Sequence, residues 1–215
     1  MGTRRYNSPA REEASARTRR RIVTAAARLF ARDGYSGTTI AAIAAEAGVS
    51  AQSVHLAGAK RSLLMAAFEL TLAGDEGTHP LHERPALTAI MALPADDALD
   101  AYVSFLAQAN ARTAGIHRAL YDAARTDDAV AALVADLDRR RHEDIRAAVV
   151  WAQSRGLLRG EVDADERTDV LTYLVSPDTY RFFTGDLGWD DERYRSWLRD
   201  AIERLVFADT SSRAG

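Results

Sequence analysis

The 215-residue chain contains no cysteine, so neither a disulfide framework nor a metal site built on thiolates is available to it. Lysine occurs once, at Lys60, against 27 arginines. No apolar run approaches the roughly 20 residues that cross a bilayer, and the N-terminus is charged where a signal sequence would be apolar. A chain without disulfides fits a reducing compartment, and a soluble, cytoplasmic protein with no membrane partner is expected. Enzyme signatures are missing too: there is no glycine-rich phosphate loop and no GxSxG elbow. Of the five histidines, His55, His79, His82, His117 and His142, only His79 and His82 are close in sequence. They lie in a Pro/Gly-rich stretch without the HExxH spacing that puts two ligands on one helical face. No metal, no cofactor and no catalytic residue are therefore expected, and a small helical enzyme stands only as a further alternative.

What the chain does contain is unevenly spread. A net charge of −3 speaks against a nucleic-acid binder when taken alone. Residues 1–60, however, hold ten basic and four acidic side chains, a balance of +6, and the remainder holds 18 and 27, a balance of −9. The basic end carries TTIAAIAAEAGVSAQSVHLAGAK, residues 38–60. Thr38 or Thr39 offers a hydroxyl to cap a helix. Ile40, Ile43, Ala44 and Ala47 form one slim apolar face at spacings of three and four. Gly48 suits the left-handed residue of a turn, Ser50 caps a second short helix, and Val54 points back at the first. A small residue, a glycine and a returning valine are what two helices crossing steeply through a short turn require. The pattern predicts a helix-turn-helix that leaves Ala51, Gln52, Ser53 and His55 facing outward; a helical hairpin inside an ordinary all-α core is the bland alternative.

Ahead of the motif, residues 1–16 show no apolar period and read as a disordered tail. Arg17, Arg19, Arg20 and Arg21 then lead into a helix with Ile22, Ala26, Leu29 and Phe30 on one face and Gly34 at its end. Positive charge at a helix N-terminus opposes the helix dipole, which makes Arg21 and its neighbours candidates for an outside anion such as DNA phosphate. A solvated arginine face is the other reading. Leu63, Leu64, Ala67 and Phe68 stripe a fourth helix. Gly74, Gly77, Pro80 and Pro85 break the pattern over 74–94, with one helical piece at 85–92.

Further helices are expected from Asp96 to an interruption at Gly115, over 116–124, from Asp127 or Asp128 to Gly156, over 164–175, from Pro177 toward Gly185, and from Asp190 to 207. Arg139, Arg140 and Arg141 beside Glu143 and Asp144 read as a solvated, ion-paired face. No strand signal of comparable strength occurs. The predicted fold is all-α: a tail over 1–16, an N-terminal three-helix helix-turn-helix DNA-binding domain over 17–61, and a larger C-terminal helical ligand-binding and dimerisation domain over 62–209.

The run TRRRIVTAAARLFARDGYSGTTIAAIAAEAGVS, Thr18 to Ser50, followed by Lys60 and Leu63-Leu64, resembles the TetR family of transcriptional repressors. The C-terminal LVSPDTYRFFTGDLGWDDERYRSWL resembles the tail of some members more weakly. The resemblance implies a homodimer that binds an inverted repeat of double-stranded DNA and is released by a small-molecule inducer; control by a protein partner, or by no inducer, is the alternative. Carried over by position, Thr39, Ser50, Gln52, Ser53, His55 and Lys60 form the DNA-contacting set, joined by Arg21 and Ala51. Gln52 suits bidentate pairing with adenine, and the hydroxyls, His55 and Lys60 suit phosphate. One departure stands out. Where the family has a tyrosine and, shortly after, a phenylalanine, this chain reads His55-Leu56-Ala57-Gly58-Ala59-Lys60, one residue shorter and without the aromatics. Leu56 is expected to supply the lost packing.

For the body, the stripe Tyr194, Trp197, Leu198, Ala201, Ile202 and Leu205 is expected to build a dimer interface from segments 164–184 and 190–207, or else to pack within its own chain. Tyr102, Phe105, Leu106, His117, Tyr121, Trp151, Tyr173, Tyr180 and Phe183 are the candidate lining for a mainly apolar or aromatic ligand.

Overall fold

The computed structural model of the chain describes residues 9–74, 80–158 and 163–207, and every regular element among them is helical. In chain order these are α1 (Pro9–Gly37), α2 (Ile40–Ala47), α3 (Ala51–Ala57), α4 (Lys60–Ala73), α5 (Pro85–Met91), α6 (Ala95–Ala124), α7 (Asp128–Ser154), α8 (Ala164–Leu174), α9 (Pro177–Arg181) and α10 (Asp191–Ile202). A 3₁₀ turn, Leu81–Glu83, precedes α5, and wider π-type turns extend α9 through Phe182–Asp186 and α10 through Glu203–Phe207. The helix starts follow capping chemistry. Asp163, Ser176 and Asp190 each accept an amide hydrogen of the first turn they precede. Asp127 Oδ1 does the same for the Ala129 and Val130 amides, at 3.0 and 3.2 Å.

The helices group into two compact units, Met1–Glu76 with Gly115–Ala131 and Gly77–Ala114 with Ala132–Gly215. In the first unit the slim apolar faces do the packing. Ile22, Ala26, Leu29 and Phe30 of α1 are buried, as are Ile43, Ala44 and Ala47 of α2, Val54 of α3, and Leu63, Leu64, Ala67 and Phe68 of α4. Complete burial of a side chain such as Phe30 or Ile43 contributes about 1.5–3 kcal/mol. The expected border after residue 61 falls inside this unit, because α4 packs on α1.

Two local expectations take a different form. α1 begins at Pro9, inside the segment read as a tail. AREEASARTRRR lacks an apolar period but is rich in strong helix formers, and proline suits a first turn. Residues 1–8 lie outside the described residues. Gly115, read as an interruption, sits within a continuous α6. Its role is close approach: a Cβ there would lie 3.0 Å from Ala31 Cβ and 3.1 Å from the Ala31 carbonyl oxygen.

The second unit is built around Leu99, Val103 and Ala107 of α6, Ile145 and Val149 of α7, Leu171 and Leu174 of α8, and Tyr194, Leu198 and Ile202 of α10. The α10 stripe therefore fills its own chain's core. Tyr194 and Leu198 are 0% exposed and Ile202 1%, Ala201 is buried, and Trp197 packs on the same cluster. Leu205 alone of the six is exposed. On α7 the ion-paired face is made by Arg139, bonded to Asp136 (2.6 Å) and Glu143 (2.8 Å), and by Arg140, bonded to Asp136 (3.0 Å). Arg141 and Asp144 depart from that reading. Arg141 donates to the Thr172 carbonyl at 3.0 Å, and Asp144 accepts the His82 ring Nδ1 contact at 2.6 Å.

Candidate nucleic-acid interface

α2 is capped by Thr39, whose Oγ1 accepts from the Ala42 amide at 3.0 Å. It ends at Gly48, with φ 64°, where the Gly48 and Val49 amides close back on the Ala45 and Ala44 carbonyls. Ser50 opens α3 by accepting from the Ser53 amide at 3.1 Å, and the Ser50 and Ser53 hydroxyls share a 2.9 Å hydrogen bond. The axes of α2 and α3 are turned by 104°. Val54, fully buried, pins the inner face of α3. Helical periodicity then places Gln52 and Leu56 on the opposite strip, one turn apart, with His55 and Ala51 beside them. All four are exposed.

The arginines of α1 explain why this short motif holds its shape. Arg19 Nη1 donates to the Ala57 carbonyl at 2.6 Å, and Arg21 Nη2 donates to the Ala47 and Gly48 carbonyls at 2.6 and 3.2 Å. Each guanidinium meets a helix C-terminus, where carbonyls lack intrahelical partners and the dipole is negative. Because α1 begins at Pro9, this charge lies beyond the first turn where the helix's own dipole acts, and it complements the C-termini of α3 and α2 instead. Arg21, expected to meet an outside anion, is turned onto the motif itself. Arg17 and Arg20 have no partner among the described residues. With Arg21, Thr24 and the Arg28–Glu46 ion pair (3.4 Å), they line a groove of about 640 Å³.

Lys60 opens α4 with its Nζ 4.4 Å from the centre of the Tyr35 ring, which in turn stacks on Phe30. Burial lowers the Lys60 pKa and raises that of Tyr35, and the pair is a cation–π contact. The shortened turn passes through Gly58, at φ 147°. Leu56 does not supply the lost aromatic packing: it is 82% exposed. Its place on the helix, opposite Val54, points it away from the core.

The candidate ligand residues are divided. His117 and Tyr121 belong to the first unit, where their rings stack at 4.2 Å and His117 tilts against Phe68 at 6.4 Å. The others belong to the second. Leu106, Tyr180 and Phe183 pack on its core cluster, with Tyr180 edge-on to Tyr194 and Phe183 against Trp189 and Trp197. Tyr102 and Phe105 are half-buried on α6. Burial pushes the Tyr102 hydroxyl up to about 12 despite the nearby Arg141. Trp151 Nε1 donates to the Met91 carbonyl at 3.1 Å and ties α7 to α5. Tyr173 is 73% exposed and lines no interior. Among the described residues no group of side chains could hold a metal ion, and no single helix is long and apolar enough to cross a membrane.

The profile of the tetR family of bacterial regulatory proteins matches residues 22–67. No curated protein matches the chain by sequence. Solved structures share its fold. One is a protein of Saccharomonospora viridis assigned as a transcriptional regulator and solved in complex with choline, 23% identical, with 90% of this chain and 99% of that one aligned at a TM-score of 0.69. A second, from Mesorhizobium loti and assigned to the TetR family, is 20% identical, with 88% and 95% covered and a TM-score of 0.67. A third is AibR in complex with isovaleryl coenzyme A and operator DNA, 21% identical, with 88% and 98% covered and a TM-score of 0.61. At such identities the likeness concerns the fold; the head, residues 22–67, is matched by its own sequence to the bacterial regulatory proteins of the tetR family, and the chain joins this N-terminal helix-turn-helix to a helical C-terminal body.

Proposed function

We propose that the chain is a dimeric repressor that binds an inverted-repeat operator and leaves it when a small apolar or aromatic molecule occupies the body. The observation that carries this reading is the outward strip of α3, Gln52 and Leu56 flanked by Ala51 and His55, held by arginine clamps from α1, a helix that also carries Arg17 and Arg20 without a partner among the described residues. Gln52 reads a base, Thr39, Ser50 and Ser53 lie at the two helix starts where phosphate is met, and Lys60 neutralises phosphate from its place on Tyr35. Selection of bound duplexes from random DNA tests the reading directly: an inverted repeat is expected, with affinity falling steeply as salt rises. Gln52→Ala should cost roughly 1–3 kcal/mol and relax one position per half-site. An unselective pool would overturn the proposal.

Dimerisation is proposed through the apolar side chains that the α8–α10 region leaves exposed, Tyr173, Phe182, Leu187 and Leu205, in place of the buried α10 stripe. Tyr173→Glu with Leu205→Glu should give a folded monomer in sedimentation, and an intact dimer would sink this assignment. The ligand is proposed to lie among Tyr102, Leu106, Tyr180 and Phe183, which combine apolar bulk with hydroxyl tips. The choline and isovaleryl coenzyme A complexes of similarly folded proteins support a body that accepts small molecules. Linkage makes the test reciprocal: operator DNA must weaken ligand binding by the factor by which ligand weakens DNA binding, for a coupling of about 1–3 kcal/mol.

A further inference from the structure

Leu56 is the most exposed of the large apolar side chains described, at 82%. It is also unable to hide. α3 is fixed at its start by the Ser50 cap, at its end by Arg19 on the Ala57 carbonyl, and on its inner side by buried Val54. Leu56 sits opposite Val54, so no rotamer change brings it to the core without turning the whole helix. It shares the outward strip with Gln52, one turn away, where side chains four apart stand about 5–6 Å from one another.

The surface that faces this strip under the proposed function has a known chemistry. Edges of base pairs in the major groove offer hydrogen-bond donors and acceptors almost throughout, and the one apolar group ordinary DNA presents there is the C5-methyl of thymine. An exposed leucine beside cytosine or guanine would cover polar atoms without satisfying them. Beside thymine it removes two apolar surfaces from water. Arg19, bonded to the carbonyl of Ala57 next to Leu56 in the chain, puts positive charge beside it, which suits a polyanion better than a second protein surface.

We infer that Leu56 is a specificity-determining residue that reads a thymine methyl group in each half-site, one to two base pairs from the base contacted by Gln52. The inference rests on the DNA-binding reading above and adds to it the identity of one base.

The test uses the full-length chain and the duplex recovered by random selection. Each thymine of a half-site is replaced in turn by deoxyuridine, which keeps base pairing and removes only the methyl. For the wild-type chain, one replacement per half-site should lower affinity about fourfold, the effect of one buried methyl-sized group, and the others should not. Leu56→Ala should bind the thymine duplex more weakly and be indifferent to the same replacement, while melting at the wild-type temperature because the side chain is exposed. Coupling between the substitution and the missing methyl supports the inference. Equal uracil sensitivity in wild type and Leu56→Ala, no sensitive thymine, or a half-site without thymine would each overturn it while leaving the repressor reading intact. Failure to select any duplex would overturn both.

Discussion

Two arginine runs look alike on paper, RTRRR at residues 17–21 and RRR at 139–141, and the folded chain uses them in opposite ways. On α7, Asp136 and Glu143 lie three or four residues from Arg139 and Arg140, so the charges cancel along one helix face. On α1 the pairing is not local. Arg19 and Arg21 reach 38 and 26 residues along the chain to backbone carbonyls, and Arg17 and Arg20 have no partner among the described residues. What separates the two runs is where their guanidinium groups find partners, carboxylates of the same helix on α7 and carbonyls far along the chain on α1, and Glu13, one turn before Arg17, shows that spacing alone does not decide it.

The comparison is broken most severely by removing the open charges. Arg17→Ala with Arg20→Ala should weaken binding to every duplex alike, by about thirtyfold at physiological salt, and flatten the log–log salt dependence by about two. Its melting temperature should not move. If the affinity holds, the open arginines are solvated after all. Arg21→Ala comes next and acts on shape, removing a charged hydrogen bond to two turn carbonyls at a cost of about 1–2 kcal/mol in stability. Arg21→Lys should recover part of it, and a loss of DNA binding with unchanged stability would return Arg21 to the role of phosphate contact.

A third effect concerns the body, where one tyrosine hydroxyl is withdrawn from water. Tyr102 holds its proton to about 12, above the ordinary tyrosine value of 10. The unfolded chain ionises first, so stability is constant below pH 10 and falls as pH rises toward 12, by up to about 1.4 kcal/mol per pH unit. Tyr102→Phe should remove that share of the alkaline slope in urea titrations at pH 9 and 11. Smallest of all, Arg139→Ala should leave both melting temperature and DNA affinity where they are, since its partners are as exposed as itself.

Helix identity was legible wherever an apolar period met a capping residue, as at Thr39, Ser50, Asp163, Ser176 and Asp190. The helix-turn-helix was the clearest case, because its glycine, its small residues and its returning valine are each required by one geometry. Three features were not legible, for one reason. Gly115 is explained by Ala31, the α10 stripe by α6 to α8, and the fate of Arg21 by two carbonyls of the α2–α3 turn; each depends on a partner distant in sequence. Leu56 misled for the complementary reason. Hydrophobicity predicts burial on average, and its position opposite Val54 decided otherwise.

The arginine clamps bear on how the head can open. A helix of seven residues has almost no stability of its own, so α3 draws its order from Val54 and from guanidinium groups anchored on α1. Its amide hydrogens should then exchange with solvent no faster than those of α2, as one cooperative block. A head that cannot fray one helix at a time has only two settings, intact or lost. Under the proposed function, whatever removes the protein from DNA must therefore carry the head away whole, as a letter is lifted from a page, instead of smudging the helix proposed to do the reading.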